Sequence, residues 1–408
     1  MKILHTSDWH LGCSLHGRKR HEEHAAFFDR LLDVLRREAV DALLVAGDIF
    51  DLSTPGTRAQ ELYYHFLCRA AGGACRHVVI IAGNHDSPAF LAAPGNLLRN
   101  LHIHVFGAIS DSPEEEILVL KDAAGRPECI VCAVPFLRDR DIRMAEEGES
   151  PADKERKLLL GIRDHYARVA ALARERRAAA GDPPVPVVAM GHLFAAGGTV
   201  LGDDGVRDLY VGGLAHVQAA VFPDVFDYVA LGHLHLPQRV GGSDRIRYSG
   251  SPLHLGFSEI GGEKSLCLVS FTGREAEVRL LPLPLFRRLE SIRGDWAAIA
   301  ARLSALAAED ARAWLDITYD GEDLLPDLRD RLDAAARGTG LEILRARNAR
   351  LMARALNRTE SGESLDALSE REVFERCLAA HQVPEGQRAD LRLAHEEILA
   401  CLRADGGE

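Results

Sequence analysis

The chain has 408 residues, a net charge of −12 and the composition of an ordinary globular protein, with 47% hydrophobic residues. This length is too great for one hydrophobic core and predicts two or three domains. The acidic total excludes a uniformly basic DNA-binding surface, so a nucleic-acid partner would have to be held by local basic patches or by metal ions.

Two apolar segments bear on the location of the protein. The apolar run of residues 1–6 is ended by Asp8, which leaves no room for the apolar core of a signal peptide. The uncharged stretch of residues 183–202 has the length of a membrane span, but it contains prolines, glycines and His192. We therefore expect a cytoplasmic protein without a membrane span.

The eight cysteines are scattered, and the only close pair is Cys129 and Cys132. Both lie in one strand-like apolar run, where residues three apart face opposite sides. We expect buried, reduced thiols in a cytosolic protein and no zinc or redox pair.

The first part of the chain alternates strands and helices. Hydrophobic periodicity predicts a strand, a helix, a strand, a helix and a strand, at residues 3–7, 22–39, 42–46, 57–71 and from 78 onwards. Two successive strand–helix–strand units imply neighbouring parallel strands with their carboxyl ends side by side.

The next part has closer strand signals, with a hairpin turn at residues 122–126 and one long charged helix at 154–180. Further strands are predicted at residues 228–231, 246–249, 266–271 and 276–281. Pro282 and Pro284 then mark a domain boundary.

Beyond the boundary, the pattern predicts a compact α+β module with a strand near 289, helices at 296–308 and 324–337, and strands at 313–319 and 341–345. A polar linker and two short helices, at 371–381 and 386–403, follow. The predicted organisation is a domain at 1–284, a second at 285–356, a linker at 357–370 and C-terminal helices at 371–408.

Polar side chains follow five predicted strands at the points where the strands end, after apolar runs and in most cases after a glycine. They are Asp8, His10, Asp48, Asn84, His85, His192, His233 and His235. Within the pairs Asp8/His10 and His233/His235, the two residues point the same way in extended backbone. Ligands in open α/β sheets bind beyond the carboxyl ends of strands, which is where these residues are expected.

Two aspartates, one asparagine and four histidines, with no cysteine, are too many donors for one tetrahedral zinc site. They suit two divalent ions of borderline hardness, such as Mn²⁺. One carboxylate, most naturally that of Asp48, would bridge the ions. Such a pair can activate water and stabilise both the attacking and the leaving oxygen of a phosphoester.

Each of these residues alone has an ordinary structural explanation. The segment 83–86, Gly-Asn-His-Asp, is as typical of a turn as of a functional site, and a single strand-end histidine is usually a structural residue. Five strand ends with the same chemistry favour the metal centre. The structural explanation is retained for strand histidines His5, His102 and His104, and for helix histidines expected to be solvated, His21, His24, His165 and His395.

The succession Asp-x-His, Gly-Asp, Gly-Asn-His-Asp, Gly-His and Gly-His-x-His resembles the calcineurin-like metallophosphoesterases. Within this family, residues 1–12, the Pro-Phe-Leu-Arg-Asp-Arg-Asp segment at 135–141, Tyr-Ser-Gly-Ser-Pro at 248–252 and Phe-Ser-Glu at 257–259 are similar to nucleases that process DNA double-strand breaks. The resemblance runs nearly end to end and is densest up to about residue 285.

The resemblance implies an α/β fold in which two sheets form a sandwich flanked by helices, followed by a small α+β capping domain and C-terminal helices. It also implies ligands for a first ion, Asp8, His10, Asp48 and His235, and for a second ion, Asp48, Asn84, His192 and His233. His85 would contact the scissile phosphate and help to protonate the leaving oxygen.

Asp51 is a further candidate, which either orients His85 by accepting a ring N–H or merely caps a turn. Asp86 has no predicted role. Basic residues that either contact DNA phosphates or are simply solvated are Arg18, Lys19, Arg20, Arg138 and Arg140. The densest basic run lies in the second domain, which the resemblance makes a DNA-orienting cap: Arg345, Arg347, Arg350, Arg354 and Arg358.

The last two predicted helices have apolar stripes that need burial, either on their own chain or on a partner. The resemblance implies docking on the coiled-coil base of an ATPase. ATP would be used by that partner, because this chain has no Gly-x-x-x-x-Gly-Lys-Ser/Thr loop.

The resemblance therefore implies the nuclease subunit of an ATP-dependent DNA end-processing complex, using two Mn²⁺ or, as the alternative metal, Mg²⁺. It would be a double-strand exonuclease and a single-strand and hairpin endonuclease in DNA repair, recombination and replication. It would be associated with the nucleoid and form a dimer within a heterotetramer. The alternatives are a phosphodiesterase or phosphatase for small nucleotides, against which the module after residue 285 argues, and a non-catalytic DNA-end scaffold, against which the full ligand set argues.

Overall fold

A computed structural model describes residues 1–73, 75–144, 146, 148–195, 219–323, 325, 327–349, 370–380, 388, 389, 391–393 and 395. The chain divides into two compact units. The first comprises Met1–Glu290 and Arg312–Trp314, and the second comprises Ser291–Ala311 and Leu315–Glu408. Most of the predicted linker and most of the last predicted helix lie outside the described residues.

Seventeen strands occur in the described residues. In chain order, β1 to β17 are Lys2–Thr6, Ser14–Leu15, Arg18–Lys19, Ala42–Ala46, His77–Ile81, Ile103–Phe106, Ile117–Lys121, Pro127–Ala133, Val187–His192, Tyr228–Gly232, Gln238–Val240, Ser243–Tyr248, Ser265–Thr272, Glu275–Pro282, Arg288–Gly294, Ala313–Tyr319 and Leu341–Asn348.

The α-helices of the described residues, α1 to α9, are His21–Arg37, Thr57–Ala71, Pro88–Ala92, Gly95–Arg99, Asp139–Ile142, Pro151–Ala179, Trp296–Ala308, Leu328–Ala336 and Glu370–Ala380. Short 3-10 turns occur at Pro113–Glu116, Ala219–Val221 and Phe257–Glu259. None of the helices in this part of the chain is long and apolar enough to cross a membrane.

The first sheet has six strands in the order β14-β13-β1-β4-β5-β6. Strands β1, β4, β5 and β6 are parallel, and β13 pairs antiparallel with β1. The prediction of neighbouring parallel strands from the two strand–helix–strand units is confirmed. As a result, the loops after β1, β4 and β5 leave the sheet at the same edge.

The second sheet also has six strands, in the order β11-β12-β10-β9-β8-β7. Strands β8, β9, β10 and β12 are parallel, and the edge strands β7 and β11 are antiparallel to their neighbours. The predicted hairpin turn joins β7 to β8, where the amide of Asp122 donates to the carbonyl of Arg126.

Side-chain alternation along the central strands produces three cores in the first unit. On β4, Leu43 and Val45 pack with α1 and α2 on the outer face of the first sheet, whereas Leu44 packs with residues of the second sheet. On the second sheet, Val187 packs with α6 on the outer face, and Val188 packs with the first sheet. The predicted two-sheet sandwich flanked by helices is confirmed.

The same alternation separates the two close cysteines. Cys129 lies in the core between the sheets, and Cys132 lies in the core beneath α6. Both are buried free thiols. The prediction that they face opposite sides of one strand is therefore confirmed.

The second unit contains a three-stranded sheet in the order β15-β16-β17, accompanied by α7 and α8. Asp295 caps α7, since its carboxylate accepts the amide N–H of Ala298 at 2.8 Å. The predicted bounds of α7 and β16 agree with the structure, whereas α8 begins four residues later than predicted, at Leu328.

Candidate metal centre

The eight predicted site residues follow β1, β4, β5, β9 and β10 or end them. Backbone hydrogen bonds join the first two loops, from the amide of Asp8 to the Gly47 carbonyl and from the amide of His10 to the Asp48 carbonyl, each at 3.0 Å. The two sheets are joined by the Nδ1 atom of His192, which lies 2.9 Å from the Ala46 carbonyl. The strand ends of both sheets therefore meet at one place.

Asp48 lies at the centre of this group. Its Oδ2 atom is 3.6 Å from His10 Nε2 and 3.3 Å from His192 Nε2. Its Oδ1 atom accepts the backbone N–H of His85 at 2.9 Å. The carboxylate thus lies between the imidazoles assigned to the first and second ions, as expected for a shared ligand.

The three other predicted ligands of the second ion converge on one another. The amide oxygen of Asn84 lies 2.9 Å from His192 Nε2 and 3.1 Å from His233 Nδ1. The donor atoms of Asp8, Asp48 and His192 also lie within 4.8 Å of one another. Such spacing suits donors that surround one ion.

The remaining predicted ligands of the first ion form a second group, in which the donor atoms of Asp8, His10 and His235 lie within 4.8 Å of one another. Asp8 is held on both oxygens: Oδ1 accepts the backbone N–H of His233 at 2.9 Å, and Oδ2 accepts the Ser7 hydroxyl at 2.5 Å. The Ser7 hydroxyl in turn lies 2.8 Å from that of Ser249.

Carboxylates and imidazoles shift one another's pKa values in this group. Burial alone would lower the pKa of His10 and of His192, but the surrounding carboxylates raise both to about 9. Burial alone would raise the pKa of Asp48, but His192 and His10 hold it well below its usual range. A bound cation would take the place of the imidazole protons that balance these carboxylates.

The donors fit a divalent metal ion. Both ring nitrogens of His10 and the Nδ1 atom of His235 are buried without a hydrogen-bond partner among the described residues. Because buried polar atoms are normally paired, these atoms are explained by ligands that bind to the group. Oxygen and imidazole donors without thiolate suit ions of borderline or hard character.

The backbone at the predicted ligands is strained. Among the described non-glycine residues, eight have positive φ, and four of them are predicted ligands: Asp8 (53°), His10 (46°), Asp48 (49°) and His233 (109°). Such conformations cost of order 1–3 kcal/mol each and persist where the surrounding structure enforces them. Their concentration here indicates that the geometry serves a function.

Two glycines permit the close approach of the strand ends. A Cβ atom on Gly83 would overlap the Asp48 carboxylate, and one on Gly232 would overlap the carbonyl oxygen of Ala46 on the other sheet. Any side chain at Gly232 would therefore push the two sheets apart at the centre.

His85 is partly buried beside the ligands, and its ring lies edge-on to that of His10 with centroids 4.9 Å apart. The Nδ1 atom of His85 lies 2.9 Å from the main-chain carbonyl oxygen of Asp51. A carbonyl can only accept, so Nδ1 carries a proton and donates it. Nε2 is the nitrogen that remains for a substrate.

The predicted role of Asp51 is corrected in one respect. Asp51 accepts the ring N–H of His85 through its backbone oxygen, whereas its carboxylate lies 3.3 Å from His10 Nδ1. An Asp51→Asn substitution would leave the backbone contact in place. It therefore tests the support of His10, not the orientation of His85.

Asp86, for which the sequence pattern predicts no role, joins two loops of the site. Its buried carboxylate accepts three backbone N–H groups, from Ile49 at 3.1 Å, Phe50 at 2.9 Å and Gly83 at 2.8 Å. It ties the loop after β4 to the loop after β5 and so fixes Asp48 relative to Asn84. Spacing alone could not reveal this, because two of the three donors are main-chain atoms of another loop.

We expect Asp86→Ala to lower the free energy of unfolding by about 3 kcal/mol or more, because three buried N–H groups lose a charged acceptor. Urea unfolding of the metal-free chain measures this. Asp122→Ala is the matched control, since Asp122 also accepts two backbone N–H groups but does so in an exposed turn. Equal losses for the two variants would contradict the role of Asp86.

Several other sequence predictions change in the structure. Arg20 is buried and bonded to Glu23 and the His254 carbonyl, so it is not a phosphate contact. Arg18 and Lys19 are exposed on the β2–β3 hairpin, Arg140 is exposed and Arg138 is partly buried. His24 and His165, expected on solvated helix faces, are buried.

The basic run of the second unit is only partly described. Arg345 and Arg347 on β17 both donate to the buried carboxylate of Asp316, at 2.7 and 3.0 Å. This pairing offsets part of their charge. Arg350, Arg354 and Arg358 lie outside the described residues.

Comparison with known proteins assigns both parts of the chain to families. Residues 1–237 match the calcineurin-like phosphoesterase family. Residues 285–382 match the SbcD_C family, described as type 5 capsule protein repressor C-terminal domain.

Individual relatives are similar over most or all of their length. The chain is 37% identical to the SbcD subunit of nuclease SbcCD from Escherichia coli strain K12 over 99% of both chains. It is 38% identical to the protein of that name from Rhodobacter capsulatus over 86% of this chain and 89% of the relative. It is 37% identical to that from Bacillus subtilis over 80% of each.

Proposed function

We propose that this chain, which belongs to the calcineurin-like phosphoesterases and within them to the family of SbcD nuclease subunits, hydrolyses DNA phosphodiester bonds in a metal-dependent reaction. The observation that carries the proposal is the convergence of seven predicted ligands and His85 at the strand ends of two sheets. It would be the nuclease subunit of an ATP-dependent complex that processes DNA ends in repair, recombination and replication.

Two divalent ions would be held by these ligands, with Asp48 shared. When bound, the ions would activate a water molecule and offset the negative charge that develops on the phosphodiester. We propose Mn²⁺, with Mg²⁺ as the alternative, because mixed imidazole and carboxylate donors suit an ion of borderline hardness.

The chain itself would supply the proton for the leaving group. Because the Nδ1–H of His85 donates to the Asp51 carbonyl, a second proton on that ring must be on Nε2. His85 would pass this proton to the leaving sugar oxygen as general acid. The backbone bond from His85 to Asp48 Oδ1 fixes its position relative to the ligands.

The second unit would orient the DNA as a capping domain, a role supported by the family match of residues 285–382 and by the basic residues of β17. Arg18 and Lys19 on the exposed β2–β3 hairpin would contact phosphates. We propose double-strand exonuclease and single-strand and hairpin endonuclease activity, carried out in the cytoplasm at the nucleoid.

Digestion of linear and hairpin duplex DNA with Mn²⁺, with and without an SbcC-type ATPase and ATP, tests the proposal. We expect both substrates to be degraded and chelation to stop the reaction. Hydrolysis of bis-p-nitrophenyl phosphate or small nucleotides without any DNA cleavage would instead indicate the small-nucleotide phosphodiesterase. No hydrolysis of any substrate would indicate a DNA-end scaffold.

The C-terminal helices would bind the coiled-coil base of the ATPase, in a heterotetramer that contains a dimer of this chain. The described part of this region shows contacts between its two segments: Phe374 stacks on His395 with ring centroids 3.9 Å apart, and Arg392 donates to Glu375. Leu391 and Leu393 remain 40% and 61% exposed and are available to a partner.

We expect deletion of residues 360–408 to abolish co-purification with the ATPase while metal-dependent hydrolysis of small phosphodiesters continues, because all predicted ligands lie in the first unit. Leu391→Asp with Leu393→Asp should weaken the complex in the full chain. Leu280→Asp, which alters a leucine of similar exposure on β14, is the control. An intact complex after the deletion would contradict this docking site.

A further inference from the structure

Glu259 is a buried carboxylate next to the metal centre that is not among the predicted ligands. It ends the 3-10 turn Phe257–Glu259 and has no solvent exposure. Its Oε1 atom lies 3.3 Å from Nδ1 of His235. Neither of these two atoms has a hydrogen-bond partner elsewhere among the described residues, so each is available to the other.

Lys264 holds this carboxylate in place. Its buried ammonium group donates to Glu259 Oε2 at 2.5 Å, to the Ser251 hydroxyl at 2.9 Å and to the backbone carbonyl of His235 at 2.8 Å. Glu259 Oε2 also accepts the backbone N–H of Leu255 at 3.2 Å. One lysine therefore fixes both the carboxylate and the main chain of the histidine that the carboxylate faces.

The charge state of Glu259 follows from these neighbours. Burial alone would raise its pKa, but His235 and Lys264 lower the pKa to about 2. The group is therefore an anion at neutral pH. A buried anion beside an imidazole makes that ring a stronger electron donor at its other nitrogen.

The imidazoles assigned to the two ions are supported differently. Of the first ion's histidines, His235 faces Glu259, and His10 has the Asp51 carboxylate 3.3 Å from its Nδ1. His192, assigned to the second ion, has the neutral Ala46 carbonyl at its Nδ1. Negative charge behind the rings is thus concentrated at the first ion.

We propose that Glu259, held by Lys264, is a positioning residue that directs Nε2 of His235 to the first ion and makes the first ion bind more tightly than the second. The inference rests on the proposed metal centre but not on the identity of the substrate. It gives a physical role to the Phe-Ser-Glu segment, whose glutamate is too far along the chain from the ligand motifs to be related to them by spacing.

Calorimetric titration of the metal-free full chain with MnCl₂ tests the proposal. The wild type should bind two ions with unequal affinities. In Glu259→Gln, the tighter ion should bind about 10 to 100-fold more weakly, the range found for groups that support a metal-bound histidine. The weaker ion should change little. Unchanged affinities, or equal losses for both ions, would overturn the proposal.

The control is the other buried carboxylate–imidazole pair. Glu116 Oε2 lies 2.8 Å from His165 Nε2, with both residues 1% exposed, on a 3-10 turn and on α6, which carry no predicted ligand. Glu116→Gln should leave Mn²⁺ binding unchanged. If Glu259→Gln does not fold because Lys264 loses its counter-charge, Glu259→Gln with Lys264→Met removes both charges and should show the same selective loss.

The readout also separates this inference from the proposed function. Two unequal Mn²⁺ affinities that respond selectively to Glu259→Gln, in a protein that cleaves no DNA, would refute the nuclease and leave the positioning role intact. DNA cleavage with Mn²⁺ affinities that do not respond to the substitution would do the opposite.

Discussion

Replacing Asp48 by asparagine is expected to lower Mn²⁺-dependent DNA cleavage by about three orders of magnitude, the largest effect of any single substitution that conserves size. The carboxylate lies between His10 and His192, 3.6 and 3.3 Å from their Nε2 atoms. Removing its charge leaves the two cations without the anion that separates them. Ion-pair catalysis supplies several kcal/mol of transition-state stabilisation, and each 1.36 kcal/mol is about tenfold in rate.

Single-turnover cleavage of an end-labelled duplex measures this loss, together with the amount of Mn²⁺ bound at equilibrium. Bound Mn²⁺ should fall from two ions to one or fewer per chain. Glu116→Gln, which alters a buried carboxylate away from the ligands, should retain both the rate and the two ions. An Asp48→Asn protein with full cleavage would exclude the shared-ligand assignment.

Replacing His85 by glutamine is expected to slow DNA cleavage about 10² to 10⁴-fold, the contribution of a general acid, while two Mn²⁺ ions still bind. The backbone N–H that bonds Asp48 is unaffected by the substitution, so the ligand geometry is preserved. Glutamine cannot deliver a proton to the sugar oxygen. A rate loss with full metal occupancy therefore separates the acid from the ligands.

A substrate with a better leaving group sharpens this test. p-Nitrophenolate leaves without protonation, so His85→Gln should slow hydrolysis of bis-p-nitrophenyl phosphate much less than it slows DNA cleavage. His77→Gln is the control: this histidine is at the opposite end of β5, and its ring also contacts a backbone carbonyl, that of Lys121 at 2.9 Å. Equal losses on both substrates would contradict the role of general acid and would indicate positioning of the phosphate.

The regular part of the fold could be predicted because its signals are local. Apolar runs bounded by glycine identified β4 and β5, and the bounds predicted for β4, α2, α7 and β16 are those observed. Short elements such as the β2–β3 hairpin and α3 were missed. They are two to five residues long and have too few positions for a periodic pattern.

The burial of charged and titratable side chains was the least predictable feature. Arg20 belongs to a basic run, yet it is buried because Glu23 and the His254 carbonyl satisfy its donors. His165 lies on a charged helix, yet it is buried because Glu116 lies opposite it. In each case at least one partner comes from a distant part of the chain, which a helical pattern cannot show.

The donor set of the metal centre is written in the amino-acid sequence, as a polar residue at the end of each of five strands and a glycine where two backbones must meet. Parallel pairing follows from short strand–helix–strand connections, so the convergence of Asp8, Asp48 and Asn84 is also derivable from the sequence pattern. What holds these donors in place depends on the three-dimensional fold.

The supporting contacts join separate loops: backbone N–H groups at Asp86, the Asp51 carbonyl at His85 and the Glu259 carboxylate at His235. Hydrogen bonds of this kind require distances of about 3 Å in space, and separation along the chain carries no information about them.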